Sequence, residues 1–224
     1  MNTRLSVLFF CFVLLGLYSC KNNDEVFKPV VNTSINVVNA SVDTLNFYLN
    51  GTRQNNASSL FPTGQSFYLT VPSGAQNFEF KKAGTSNVLF GVPLNLKDST
   101  YNSLYVYGEG ASQTFVTNDV LLIDTLHVDT TQVKFVNVSP DAGNLDITVG
   151  STVSFKSVPL KSSTKYVEMP GVLTEVKVFQ AGSTTPLKDT SIQFQPGGIY
   201  TLFSKGLLNG KGNAAFGIGV VINH

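Results

Sequence analysis

From residue 34 onward the chain is written in short runs of alternating apolar and polar positions. Leu45, Phe47 and Leu49 alternate with Asn46 and Tyr48, and Leu145, Ile147 and Val149 with Asp146 and Thr148. Phe78 and Phe80 flank Glu79, Val176 and Val178 flank Lys177, Leu94 and Leu96 flank Asn95, and Ile192 and Phe194 flank Gln193. Successive side chains of a strand point to opposite faces, so each run predicts a strand with one dry and one wet face. Turn signals separate the runs: Asn50-Gly51, Pro72-Ser73-Gly74, Pro170-Gly171, Pro196-Gly197-Gly198 and Asn209-Gly210. After residue 20 no segment keeps a helical 3.6-residue period.

The pattern is also written twice. NVVNASVD at 36–43 returns as KFVNVSPD at 134–141, an offset of 98 residues. The same offset pairs Tyr68 with Tyr166, Pro72 with Pro170, and Ala83-Gly84 with Ala181-Gly182. A constant offset over such a length points to two copies of one domain, and its period is too long for a solenoid repeat. About seven short strands per copy predict an all-β chain of two tandem immunoglobulin-like antiparallel β-sandwiches. The expected boundaries are 33–123 and 132–224, with 124–131 as linker. No Cys…Trp…Cys pattern is present, so the resemblance to immunoglobulin domains is one of architecture. Asn, Ser and Asp bond readily to nearby backbone. Asn39, Ser41 and Asp43, and Asn137, Ser139 and Asp141, are therefore expected to shape the turn that ends the first strand of each copy.

These residues also carry a family resemblance. VNVVNASVD…FYLNG…YLTVPSG and FVNVSPDAGNLDITVG…YVEMPG…PGGIYTLFSKG are similar to the bacterial "domain of unknown function 4397" family. The second copy matches its opening V-N-x-S-P-D at 136–141 and its closing strand at 197–206. In the first copy Val42 replaces the proline, and Ser103–Gly108 is a looser closing strand. The resemblance implies tandem sandwich domains in exported envelope proteins. It implies no reaction and no functional residues.

The first residues give an address. Arg4 precedes an apolar stretch, residues 5–17, too short for a comfortable membrane span. LYSC at 17–20 then resembles a bacterial lipobox, with a polar KNND after the cysteine. The resemblance implies that 1–19 is a signal peptide and that Cys20 is lipidated and becomes the N-terminus. Residues 20–32 read as a tether. Its Asp24-Glu25 pair resembles the acidic export signal of Bacteroidota surface lipoproteins. The other cysteine, Cys11, would be lost with the signal peptide, leaving no disulfide and no free thiol.

Composition narrows function by exclusion. With 15 Lys and Arg against 14 Asp and Glu, and no basic run, nucleic acid is not an expected partner. The two histidines, His127 and His224, lie in the linker and at the last residue, without metal-ligand spacing. Gly206-Leu-Leu-Asn-Gly210-Lys211-Gly212 faintly resembles a P-loop but is a residue short, lacks the following Ser or Thr, and sits where a hairpin is expected. Asp124 and Asp129, with Asp43 or Asp141, offer oxygen ligands for Ca²⁺, yet no DxDxDG loop is present. No cofactor, metal or catalytic residue is expected. Asp-Thr-Leu at 124–126 and Asp-Thr-Thr at 129–131 resemble a short Bacteroidota O-glycosylation motif, which marks Thr125 and Thr130.

Two functions remain. One is a non-enzymatic outer-membrane or cell-surface lipoprotein, held by its lipid and acting as a structural or adhesion module, its sandwiches in series as stiff spacers that offer edges to a protein partner. The alternative is a carbohydrate-binding surface lipoprotein in which Tyr48, Phe61, Tyr105 and Tyr107 stack on sugar rings. Against that, the chain has no Trp. The same rings would otherwise pack against the other domain.

Overall fold

A computed structural model describes residues 30–121 and 129–224. The expected signal peptide, Cys20, the expected tether up to residue 29, and residues 122–128, which include most of the expected linker, lie outside the described residues. Residues 31–224 form one compact unit.

The first half contains β1 (Asn32–Asn39), β2 (Leu45–Leu49), β3 (Thr52–Arg53), β4 (Gln65–Pro72), β5 (Gly74–Lys82), β6 (Phe90–Leu96), β7 (Tyr101–Val106) and β8 (Thr114–Asn118). The second contains β9 (Thr130–Asn137), β10 (Leu145–Val149), β11 (Val153–Val158), β12 (Ser162–Ser163), β13 (Val167–Pro170), β14 (Leu173–Gln180), β15 (Pro186–Gln193), β16 (Ile199–Lys205) and β17 (Gly217–Ile222). Each half is a two-sheet sandwich. In the first, β4-β1-β7-β8 faces β3-β2-β5-β6; in the second, β9, flanked by β12 and β13, continues to β16 and β17 and faces β11-β10-β14-β15. The Asn50-Gly51 signal is a two-residue hairpin with both φ angles positive, at 48° and 82°, which matches the twist of the strands it joins.

Each half also departs from a purely antiparallel sheet. β1 runs parallel to β7, and β9 parallel to β16. Parallel neighbours need a long crossover, and here the opposing sheet supplies it. The first and the penultimate strand of each copy therefore lie side by side at the centre of one sheet.

Alternation fills the two sandwich cores. Leu45, Phe47 and Leu49 meet Phe78, Phe80, Ile35, Val37 and Leu104 in one; Leu145, Ile147 and Val149 meet Val176, Val178, Phe135 and Leu202 in the other. Each fully buried large side chain stabilises its core by about 1.5–3 kcal/mol. A third core realises, for Tyr105 and Tyr107, the alternative that the rings pack against the other half. Val38, Ala40, Tyr105 and Tyr107 of the first half pack on Val136, Val138, Phe203 and Val221 of the second. It joins the β4-β1-β7-β8 sheet to the sheet built on β9 and β16, so these two sheets are covered on both faces. The sandwiches are thus stacked face to face in four sheet layers, which corrects the arrangement in series as spacers. The reason lies in paired apolar residues: Val37-Val38, Leu104-Tyr105, Phe135-Val136 and Leu202-Phe203 place one apolar side chain on each face of an inner strand.

Candidate functional site

The repeated V-N-x-S motif builds the same turn twice. The Asn39 side-chain amide donates to the carbonyls of Asp43 (2.7 Å) and Leu60 (2.8 Å), and its Oδ1 accepts from the backbone N–H and hydroxyl of Ser41. Asn137 donates to the carbonyls of Gly143 and Val158, both at 2.9 Å, and accepts from Ser139 N–H and the Ser204 hydroxyl. Both asparagines are fully buried. Asp43 pairs with Lys82 at 3.0 Å, and Asp141 accepts from the backbone N–H of Leu208. These residues close strand ends, as expected.

The densest polar chemistry lies at the joint between the halves. The Asp119 carboxylate, just after β8, accepts from the hydroxyls of Tyr68 (2.7 Å), Ser103 (2.6 Å) and Thr117 (2.9 Å). A further partner comes from the second half: the ammonium of Lys134 in β9, in an ion pair with both side chains almost wholly buried. Lys134 also lies 4.8 Å from the ring centroid of Tyr166. Tyr166 meets the Thr201 hydroxyl, Thr201 donates to Asn223, and the Asn223 amide donates back to the Tyr68 hydroxyl at 2.8 Å. Burial, and then the Asp119 charge, push the Tyr68 and Tyr166 phenols far above their ordinary range. Both therefore remain neutral donors at physiological pH. Among the described residues the Tyr105 hydroxyl, buried in the joint, makes no hydrogen bond of normal geometry, and Thr201 offers it only a weaker interaction.

A cavity of about 400 Å³ opens beside this cluster, lined by Asn118 and Val120 from the first half and by Gln132, Lys134, Thr164 and Tyr166, among others, from the second. Lys134 sits in its wall but is committed to Asp119. The cluster is built to hold two surfaces together. Among the described residues no group of three or more His, Cys, Asp or Glu is placed to hold a metal.

The expected ligand-facing rings do not form a platform. Tyr105 is fully buried and Tyr107 is 9% exposed, both in the core shared by the halves. That corrects their assignment as outward aromatics: the doubled apolar pattern of β7 turns them toward the other half. Tyr48 is half-buried on the outer face of β2, with the Lys81 ammonium 4.5 Å from its ring centroid. Phe61 alone of the four is open to solvent, at 64%. Thr130 belongs to β9 and is half-buried, and Thr131 is buried and donates to the Gly198 carbonyl. The linker therefore ends sooner than residue 131. Thr125 and His127 lie outside the described residues. His224 is exposed, and its carbonyl accepts from Ile199 N–H. The stretch 206–212 is part of the connection between antiparallel β16 and β17.

A family model described as "Domain of unknown function (DUF4397)" matches residues 33–148 and 131–218. The chain belongs to this family. No curated protein sequence matches it. Among solved structures it overlaps loosely with a family CBM26 module of Eubacterium rectale Amy13K bound to maltoheptaose, at 12% identity and a TM-score of 0.26, covering 84% of this chain and 95% of that one. A candidate adhesin of Bacteroides ovatus gives 8% identity and a TM-score of 0.24, covering 91% and 96%. A candidate cell adhesion protein of Bacteroides eggerthii gives 9% and 0.23, covering 86% and 95%. Overlaps this loose transfer no function to the DUF4397 chain.

Sequence reasoning missed Asp119 and Lys134. A signal existed. Lys134 stands among Val133, Phe135 and Val136 in a strand buried on both faces, where a lysine needs a buried partner.

Proposed function

We propose that this DUF4397 protein is a non-enzymatic lipoprotein of the bacterial outer membrane or cell surface, held through an acylated Cys20 and acting as a structural or protein-binding module. One observation supports this above others. The most concentrated group of ionisable side chains among the described residues, buried Asp119 and Lys134 with half-buried Tyr68 and Tyr166, is committed to joining the two halves. That leaves a four-layer body whose outer sheets and loops are free for contact with a partner. Among the described residues no helix is long and apolar enough to cross a membrane, and the LYSC lipobox offers attachment of another kind.

The aromatic row that a sugar platform needs is not assembled, so the adhesion reading is preferred to the carbohydrate one. Protease shaving of intact cells, with a periplasmic protein followed as control, tests the placement. Loss of the mature protein while the control survives is the expected result. Survival until the outer membrane is opened overturns surface exposure. Cys20→Ser is expected to release the protein from the membrane fraction; unchanged retention overturns the lipid anchor.

A further inference from the structure

The two faces that meet at the joint correspond residue by residue. Asn36 in β1 stands opposite Ser103 in β7, as Lys134 in β9 stands opposite Thr201 in β16. Asp119 donates its backbone N–H to the Tyr101 carbonyl, as Asn223 does to that of Ile199. Asp119 and Asn223 therefore hold equivalent places beyond the edge strands β8 and β17. Tyr105 and Phe203, 98 positions apart like the other pairs, are counterparts, and their ring centroids lie 5.7 Å from each other. A residue that meets its own counterpart marks a twofold, isologous contact. Two polar contacts also cross between the halves, Lys134 to Asp119 and Asn223 to the Tyr68 hydroxyl, and each joins a residue to one that is not its own counterpart. The joint has the geometry of a symmetric dimer contact made within one chain.

At its buried centre the symmetry is broken in charge at two places. The second half has Lys134 where the first has Asn36, and the first half has Asp119 where the second has Asn223. Pairing first half with first half would set each buried Asp119 against Asn36, with no cation. Pairing second half with second half would bury each Lys134 against Asn223, with no carboxylate. An uncompensated buried charge is strongly unfavourable, and such a mismatch discriminates between otherwise similar partners. We propose that each of these faces is a docking surface selective for the face of the other half, and that the Asp119–Lys134 pair excludes like-with-like association. Crowded molecules of this chain are then kept from pairing through equal faces.

The test uses the full mature chain with a protease site in place of residues 123–127. After complete cleavage, the two fragments are expected to co-elute as a 1:1 particle at micromolar concentration and to show no like-with-like pairs by native mass spectrometry. Lys134→Asn, which installs the first-half residue, is expected to weaken their association about a hundredfold or more, as for one stranded partner of a buried pair. Asp119→Asn together with Lys134→Asn is expected to recover at least about tenfold of that loss, since neither charge is then stranded, and to allow like-with-like pairs. In the uncut chain the single variant is expected to melt below the double one, a comparison that stands even if separated fragments unfold. The proposal is overturned if the cut wild-type halves separate at micromolar concentration or form like-with-like pairs. It is also overturned if the double variant is no better than the single one.

Discussion

Replacing Asn137 by Ala decides whether the repeated V-N-x-S motif is a structural device or a recognition site. The side chain is fully buried and makes four hydrogen bonds, to the Gly143 and Val158 carbonyls and from Ser139 N–H and the Ser204 hydroxyl. At about 1 kcal/mol net for each bond, the loss is about 4 kcal/mol, and carbonyls left dry add to it. One kcal/mol moves the melting midpoint of a body this size by roughly 2–4 °C, so the drop is on the order of 8–16 °C. Asn39→Ala removes the equivalent four bonds in the first copy and is expected to match it. Asn144→Ala is the control: that residue is exposed, and its side chain makes one bond, to the Ser157 hydroxyl, so the change should stay within about 0.5 kcal/mol. Urea titration and thermal melts of the soluble chain read all three. A loss below about 1 kcal/mol at both signature asparagines, well under the four-bond sum, would refute the reasoning and favour a role for the motif in recognition.

Other substitutions probe the joint and one outer sheet. Tyr105→Phe removes a buried hydroxyl that makes no hydrogen bond of normal geometry among the described residues and keeps the ring against Phe203, so stability should be unchanged or raised by up to about 1 kcal/mol; a lower melting midpoint contradicts the assignment. Gly219→Ala would place a methyl 2.1 Å from the Phe203 ring and should cost about 1–3 kcal/mol, with faster amide hydrogen exchange in β16 and β17 as the local readout. Asp146 is held below its ordinary pKa, first by the backbone N–H of Ser157 and also by Lys156 and Gly182. Its folded value lies below its unfolded one, so its stabilisation is present above the ordinary carboxylate range and is lost as pH falls through the folded value. Asp146→Asn should therefore be less stable than wild type at pH 7 in urea titrations, with the gap closing in acid; a gap independent of pH removes the carboxylate from the account.

Much of this architecture was legible because strands with one wet face advertise themselves. Leu45, Phe47 and Leu49 point into one core, Leu145, Ile147 and Val149 into its twin, and alternation predicts both without knowledge of the partner strand. The signature asparagines were legible for a related reason: part of their bonding, to Ser41 and Asp43 and to Ser139 and Gly143, lies within six residues, where local chemistry dominates, while Leu60, Val158 and Ser204 are reached only through the fold. The joint is different. A residue such as Val38 or Tyr105 satisfies the alternation rule poorly, because its neighbour Val37 or Leu104 already occupies the sandwich core. Period-two reading assigns such a residue to solvent, and on that basis Tyr105 and Tyr107 were expected to face a ligand.

The apolar doublets alone still leave the joint ambiguous, since a strand dry on both faces could be covered by its own domain, by the other copy or by another molecule. Lys134 narrows the choice. A lysine inside a doubly covered strand is tolerable only beside a carboxylate that is buried with it, and its own half has an amide, Asn223, at the place where the first half has Asp119. The partner must then come from outside the second half. The offset of 98 residues that equates Tyr68 with Tyr166 identifies the first copy as a face of matching shape, but the registers of β8 and β17 are needed to equate Asp119 with Asn223. Those registers depend on loops of unequal length between β7 and β8 and between β16 and β17. A constant sequence offset cannot carry the equivalence across them, so the charge complementarity of the joint becomes visible only once the strands are paired.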